Sequence, residues 1–143
     1  MNVTAACELC SQDGGAIVYR NEKLRVVLVD DANYPGFCRV IWNEHVKEMT
    51  DLPSPDRSFL MMTVCKVEQA VREVMRPDKI NLASLGNMTP HMHWHVIPRY
   101  IDDAHFPSPV WMDMQRTPTP DSLAFRQAAL PALRAAILRQ MDA

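Results

Sequence analysis

Three of the five histidines in this chain of 143 residues stand at every second position, in His91-Met92-His93-Trp94-His95-Val96. On a β-strand, successive side chains point to opposite faces. An extended backbone therefore sets His91, His93 and His95 on one face. Met92, Trp94 and Val96 go to the other, where they can be buried. A helix, at ~100° per residue, would fan the three imidazoles over about 200°. Trp94, Val96 and Ile97 favour a strand, and Pro98 is expected to end it, since proline cannot donate to a central ladder. Such a row can bind a metal through neutral imidazole. It can supply a nucleophile with acid–base partners, or it can be an ordinary polar face.

A second cluster is Cys7-Glu8-Leu9-Cys10. Two thiolates at this spacing can share one zinc ion with ligands from a distant part of the chain. A thioredoxin-type redox pair is the rival reading, but no βαβ pattern surrounds it. Packing of two small apolar side chains is a third. His45, isolated just past an apolar run, adds a further histidine within reach of a metal site.

Several elements must position these groups. Ala16–Arg20 and Arg25–Asp30 are two strands of a hairpin joined through Asn21–Leu24. Asp31–Gly36 is turn chemistry, and Phe37–Trp42 is a third strand. Ser54 suits a helix N-cap, with Pro55 at the first helical position and Asp56 in the first turn. Leu60, Val64, Val67, Val71 and Val74 then form one apolar stripe, with Met61, Met62 and Met75 as filler, and Pro77 stops the helix. Lys79–Leu85 is a fourth strand, and Gly86–Pro90 turns into the histidine strand. The segment from Pro98 to Pro120 is irregular. Asp121–Met141 is helical in composition, with Pro131 kinking or dividing it. The order ββ-β-α-ββ-α implies an α+β domain with an antiparallel sheet and a helix packed on one face.

The bulk composition narrows the function. The length suits a single domain, 1–143, and 48% hydrophobic residues suffice for a core. A net charge of −2 without a basic run argues against a nucleic acid polymer as partner. The four glycines, Gly14, Gly15, Gly36 and Gly86, exclude a Walker loop and a GxGxxG loop, and no organic cofactor is expected. Met1–Asp13 has no signal pattern and no apolar run approaches the ~20 residues of a membrane span. No membrane partner and a cytoplasmic location are therefore expected, with the four cysteines as thiols or ligands.

The run His91-Met92-His93-Trp94-His95-Val96-Ile97 resembles the histidine triad (HIT) family of nucleotide hydrolases and transferases. The context, with Val40-Ile41-Trp42-Asn43-Glu44-His45 followed by a helix and a strand, is similar over about residues 5–110, leaving 111–143 as an extension. Arg99-Tyr100 and Asp103-Ala104-His105-Phe106-Pro107-Ser108-Pro109-Val110-Trp111 look like the bacterial branch named for diadenosine tetraphosphate hydrolases. The resemblance implies transfer at the α-phosphate through a nucleotidyl-histidine on His93. His95 would contact phosphate oxygens, and His91 completes the row. It further implies Asp30, with Asp31 as alternative, on the ribose, Ile17 and Leu28 over the base, and Asn87 near phosphate. Where relatives often carry serine or threonine this chain has Met88, with Thr89 as a substitute, and Trp42 replaces a usual proline. Triad proteins with an N-terminal CxxC imply a structural zinc held by Cys7, Cys10, His45 and His91, which fills all four positions of a tetrahedral site. A homodimer is the family's common state. A cupin-type metalloenzyme would want open coordination positions and a carboxylate ligand, and no acid lies near on the histidine face. A nucleotide-binding scaffold with little turnover is the other alternative.

Overall fold

The structure is a computed structural model that describes residues 6–142. Strands β1 (Ala16–Arg20), β2 (Leu24–Leu28), β3 (Cys38–Trp42), β4 (Lys79–Ala83) and β5 (His93–Arg99) form one sheet in the order β1-β2-β3-β5-β4. Every pairing is antiparallel. Helices are α1 (Glu8–Ser11), α2 (Ser54–Met75), α3 (Pro120–Ala128) and α4 (Leu130–Asp142). The expected α+β architecture, with a five-stranded sheet, a main helix on one face and a C-terminal helix, is the one observed. Among the described residues no helix is long and apolar enough to cross a membrane.

Asn21 makes the hairpin turn: its side-chain oxygen accepts from the backbone N–H of Lys23 and Leu24, each at 2.9 Å. This is the local bonding by which asparagine favours turns. In α2, Leu60, Val64, Val67 and Val71 are fully buried, and each contributes roughly 1.5–3 kcal/mol before entropy is counted. Two details of this helix differ from expectation. Pro53, not Ser54, is the N-cap, and Met75 takes the buried place at the end of the stripe while Val74 is half-buried. Arg76 closes the helix in the left-handed region, φ 48°, because the residue before a proline is pushed out of the helical basin. The C-terminal helical segment divides at Ala129, two residues before Pro131.

Register decides which residues share a face. Ile41 pairs with His93, Val40 with Trp94 and Arg39 with His95; Arg25 pairs with Ile41 and Val27 with Arg39. Paired residues lie on the same side of a sheet. One face therefore carries Arg25, Val27, Arg39, Ile41, His93 and His95. The other carries Leu24, Val26, Leu28, Cys38, Val40 and Val96, which form the main core with α2 and α4. On the histidine face, Leu9 of α1 packs on Val27 and Ile41.

Strand ends also depart from expectation. β2 stops at Leu28, β4 at Ala83, and β5 begins at His93, so His91 precedes the strand. Pro98 does not end β5, which runs on to Arg99. The last β3 pair is Cys38 with Val96, so at Pro98 only β4 flanks the strand, and an edge tolerates a missing N–H.

Just past β5 the chain is pinned by a buried ion pair. Arg99 Nε donates to Asp103 Oδ2 at 2.8 Å, and both residues are almost fully buried. Asp103 also accepts the backbone N–H groups of Tyr100, His105 and Phe106 and the Tyr34 hydroxyl at 3.1 Å. Burial alone would raise the carboxyl, but the bonds from Arg99 and these backbone groups outweigh it and hold it at about 2. A folded value below the unfolded ~3.9 stabilises the fold above about pH 4, and the contribution disappears as pH falls from ~4 towards 2. Asp103→Asn is expected to cost roughly 2–3 kcal/mol at pH 7, and the gap from wild type should narrow steadily below pH 4. Denaturant unfolding across that range measures it; a gap independent of pH contradicts the assignment.

Candidate functional site

His93 sits at the first position of β5, 7% exposed. Its Nδ1 lies 2.5 Å from the backbone oxygen of His91. A carbonyl only accepts, so Nδ1 carries the proton and Nε2 carries the lone pair. Burial is the main cause holding this imidazole below its ordinary range, opposed by the bond to His91 and aided by the Arg39 charge. The ring is thus neutral near pH 7, with one nitrogen free. Ser84, just past β4, donates to the His93 carbonyl at 2.8 Å and steadies the strand there.

His95 stands beside it, ring edge to face at 4.9 Å, and meets Phe37 in the same manner at 5.5 Å. Its Nδ1 is buried with no partner among the described residues. Burial, then His93, then Arg39 push this imidazole down to about 4. Two neutral rings therefore share the face, one with its Nδ1 satisfied and one with it open. A cavity of about 310 Å³ reaches His93 between Lys47–Thr50 on one side and Ser84–Gly86 on the other.

The four proposed metal ligands converge. Cys7, Cys10, His45 and His91 offer donor atoms all within 4.8 Å of one another. His91 Nδ1 is 3.4 Å from both sulfurs and 3.3 Å from His45 Nδ1, and Cys10 Sγ is 3.4 Å from His45 Nδ1. Donors at 2.0–2.3 Å from a tetrahedral ion stand about 3.3–3.8 Å apart, so the spacing fits. The protonation pattern fits too. His91 Nε2 donates to the Trp42 carbonyl, which leaves the Nδ1 lone pair facing the other three ligands. This is the carbonyl-held second nitrogen that ligating histidines usually show.

The remaining residues are more scattered. Ile17 is on the histidine face, packed against the Leu9, Val27 and Ile41 cluster. Leu28 is on the opposite face, in the main core, so the two do not flank one base. Asp30 and Asp31 follow β2 and line a separate cavity of about 330 Å³ that Leu28, Gln127 and Arg134 also border. Asn87 is exposed and Thr89 half-buried in the turn before His91. Met88 is 98% exposed. The sequence reading passed over Arg39 and Ser84. A single charge inside the apolar run Phe37–Trp42 was the available signal for Arg39; Ser84 had none.

Comparison with known proteins gives a consistent picture. The HIT domain family model matches residues 11–102. A protein of Mycobacterium tuberculosis named AP-4-A phosphorylase is 29% identical over 102 residues, covering 67% of this chain and 52% of the relative. The chain thus spans about half the length of the curated relatives it matches. A histidine triad protein from Bradyrhizobium japonicum has a TM-score of 0.71 at 28% identity, covering 90% of this chain and 91% of that one. One from Marinobacter aquaeolei VT8 has a TM-score of 0.71 at 25% identity, covering 95% and 99%. A Zn-bound histidine triad family protein from Mycobacterium smegmatis shares the fold, with a TM-score of 0.64 at 23% identity over 96% of each chain.

Nitrogen NMR checks the protonation pattern. At pH 7 His93 should show the Nδ1–H tautomer, and His95 should remain a neutral imidazole until pH falls to about 4. An imidazolium on His95 at pH 6 contradicts this electrostatic picture.

Proposed function

The chain belongs to the HIT domain family, and from that premise we propose that it is a nucleotide hydrolase or transferase working through a nucleotidyl-histidine on His93. The observation that carries the reading is the His93 ring, neutral and bonded through Nδ1 to the His91 carbonyl. Nε2 forms a bond to the α-phosphorus, and the bond from phosphorus to the bridging oxygen breaks. The leaving group departs with that oxygen. The ring becomes positively charged, and its Nδ1–H bond to the carbonyl stabilises that charge. Water then attacks phosphorus, the nitrogen–phosphorus bond breaks, a proton passes to solvent, and the nucleoside monophosphate is released. Covalent catalysis of this kind divides one difficult step into two. A phosphorylase, as the curated relatives are named, would use phosphate in place of water at the second step.

The substrate class proposed is an adenine dinucleoside polyphosphate or an adenylated small molecule. In this reading His95 contacts phosphate oxygens, Asp30 the ribose, Ile17 the base, and Asn87 and Thr89 the phosphate chain. Leu28 is left to the hydrophobic core. Exposed Met88, with no hydroxyl to offer phosphate, favours one alternative: a nucleotide-binding module with little turnover. Cleavage of diadenosine tetraphosphate should occur with wild type and fall by at least ~10³-fold in His93→Ala, the scale lost with an essential nucleophile. A rate unchanged by that substitution overturns the catalytic assignment, and binding without cleavage by wild type selects the alternative.

The quartet Cys7, Cys10, His45 and His91 is read as a structural zinc site, its four donors leaving no position for a reacting water. Thiolate ligands suit a reducing compartment such as the cytoplasm. Metal analysis of protein purified without added zinc should give about one zinc per chain. Cys10→Ser should lower the melting temperature by several degrees, at roughly 3–6 °C per kcal/mol for a domain of this size. Far less than one zinc per chain, with no effect of chelator on melting, contradicts this.

A homodimer is also proposed. β4 is a sheet edge with one neighbour, and Leu82 on it and Leu85 beyond it are exposed, an arrangement suited to pairing with a second copy. Light scattering should give twice the chain mass; a monomer at micromolar concentration contradicts it.

A further inference from the structure

The histidine face carries a guanidinium whose donors are only partly engaged. Arg39 pairs with His95 across β3 and β5. Its Nη1 donates to the Gly14 carbonyl at 3.0 Å. A Cβ on Gly14 would lie 2.8 Å from Ile41 Cδ1 and 4.0 Å from Arg39 Nη1. The head of Arg39 therefore sits at the level of Ile41, the residue paired with His93. Gly14 itself has φ 82°, which L side chains rarely adopt, and its backbone lies against the tips of Ile41 and Leu9, so the loop carrying this carbonyl lies directly against the face.

Two other arginines are buried on the same side of the sheet, and both are occupied. Arg25 donates to the carbonyls of Asp13, Leu9 and Gln12 and to the Asn43 side chain. Arg99 is paired with Asp103. Arg39 differs: its Nε is buried with no acceptor, and it has no carboxylate ion pair among the described residues. Glu8 acts on it only through space, without an ion pair, and a part-buried cation with no carboxylate bonded to it is costly unless a further anion compensates it. The planar guanidinium fork matches phosphate oxygens and is always charged.

We propose that Arg39 binds the anionic phosphate of a nucleotide at the His93 face and so selects phosphorylated over unphosphorylated nucleosides. The inference rests on the nucleotide reading of this site, but not on turnover. The test compares binding of AMP and adenosine to wild type and Arg39→Gln by calorimetry. Loss of one charge-assisted contact should weaken AMP by about 10- to 100-fold and leave adenosine within two-fold. Arg39→Lys, which keeps the charge, should recover part of the AMP affinity.

Equal loss of both ligands, as expected if Arg39 only anchors the Gly14 loop, overturns the proposal; so does no loss of either. Should Arg39→Gln fail to fold, wild type answers the question. Its Arg39 Nε–H resonance should shift on adding AMP and stay in place with adenosine, and an unmoved resonance with AMP bound overturns the proposal. Failure of the nucleophile reading is seen separately, as cleavage that survives in His93→Ala while the AMP preference still depends on Arg39.

Discussion

One hydrogen bond organises the chemistry of this molecule: the contact from His93 Nδ1 to the backbone oxygen of His91. It fixes the tautomer, and with it the nitrogen that faces outward with a lone pair. The residue supplying that carbonyl is itself tied twice, through its Nε2 to the Trp42 carbonyl and through its Nδ1 to the Cys7, Cys10 and His45 cluster. The proposed structural metal and the proposed nucleophile thus share one backbone carbonyl group. The ligand cluster and the His93 tautomer are thereby linked through the position of the His91 peptide.

The sheet makes the arrangement rigid. β5 lies between β3, which pairs with His93–Val96, and β4, which pairs with His95–Arg99, so each residue of the histidine strand is held on at least one side and His95 and Val96 on both. Its other face is buried under α2, which α4 backs in turn, and there Val96 is fully inaccessible and Met92 nearly so. A slip of one residue would turn the imidazoles into that core and the apolar side chains out. At its far end Arg99 and Asp103 anchor the following loop, and the same Asp103 gathers Tyr34, which packs with Ile97 and Phe37 beside the histidines, Phe37 meeting the His95 ring. The run Asp103–Phe106, which singled out a branch of the family in the sequence, has this structural work in the fold.

Much of this was legible in the residues. Strict alternation from His91 to Val96 gave the strand and its faces, because only one face could be apolar. The ligand set Cys7, Cys10, His45 and His91, which no single segment contains, came from the resemblance to triad proteins with an N-terminal CxxC. Other features were hidden for identifiable reasons. β2 is buried on both faces, and its one charge, Arg25, is buried as well, so the apolar residues of Leu24–Leu28 do not by themselves show that Leu28 points to the helices while Val27 points to the histidines. Pro98 read as a strand end because its tolerance depends on where β3 stops, a long-range fact. Arg39 drew no reading from the sequence, because its place opposite His95 depends on strand register.

In the proposed reaction, Nε2 of His93 is the nitrogen that meets phosphorus. Trapping the enzyme with an adenylated substrate under rapid quench, then locating the modified nitrogen by mass spectrometry and nitrogen–phosphorus NMR coupling, tests it most directly. One adenylyl group on His93, bonded through Nε2, is the expected result. An adduct on Nδ1, or on His95 with His93 unmodified, would contradict it.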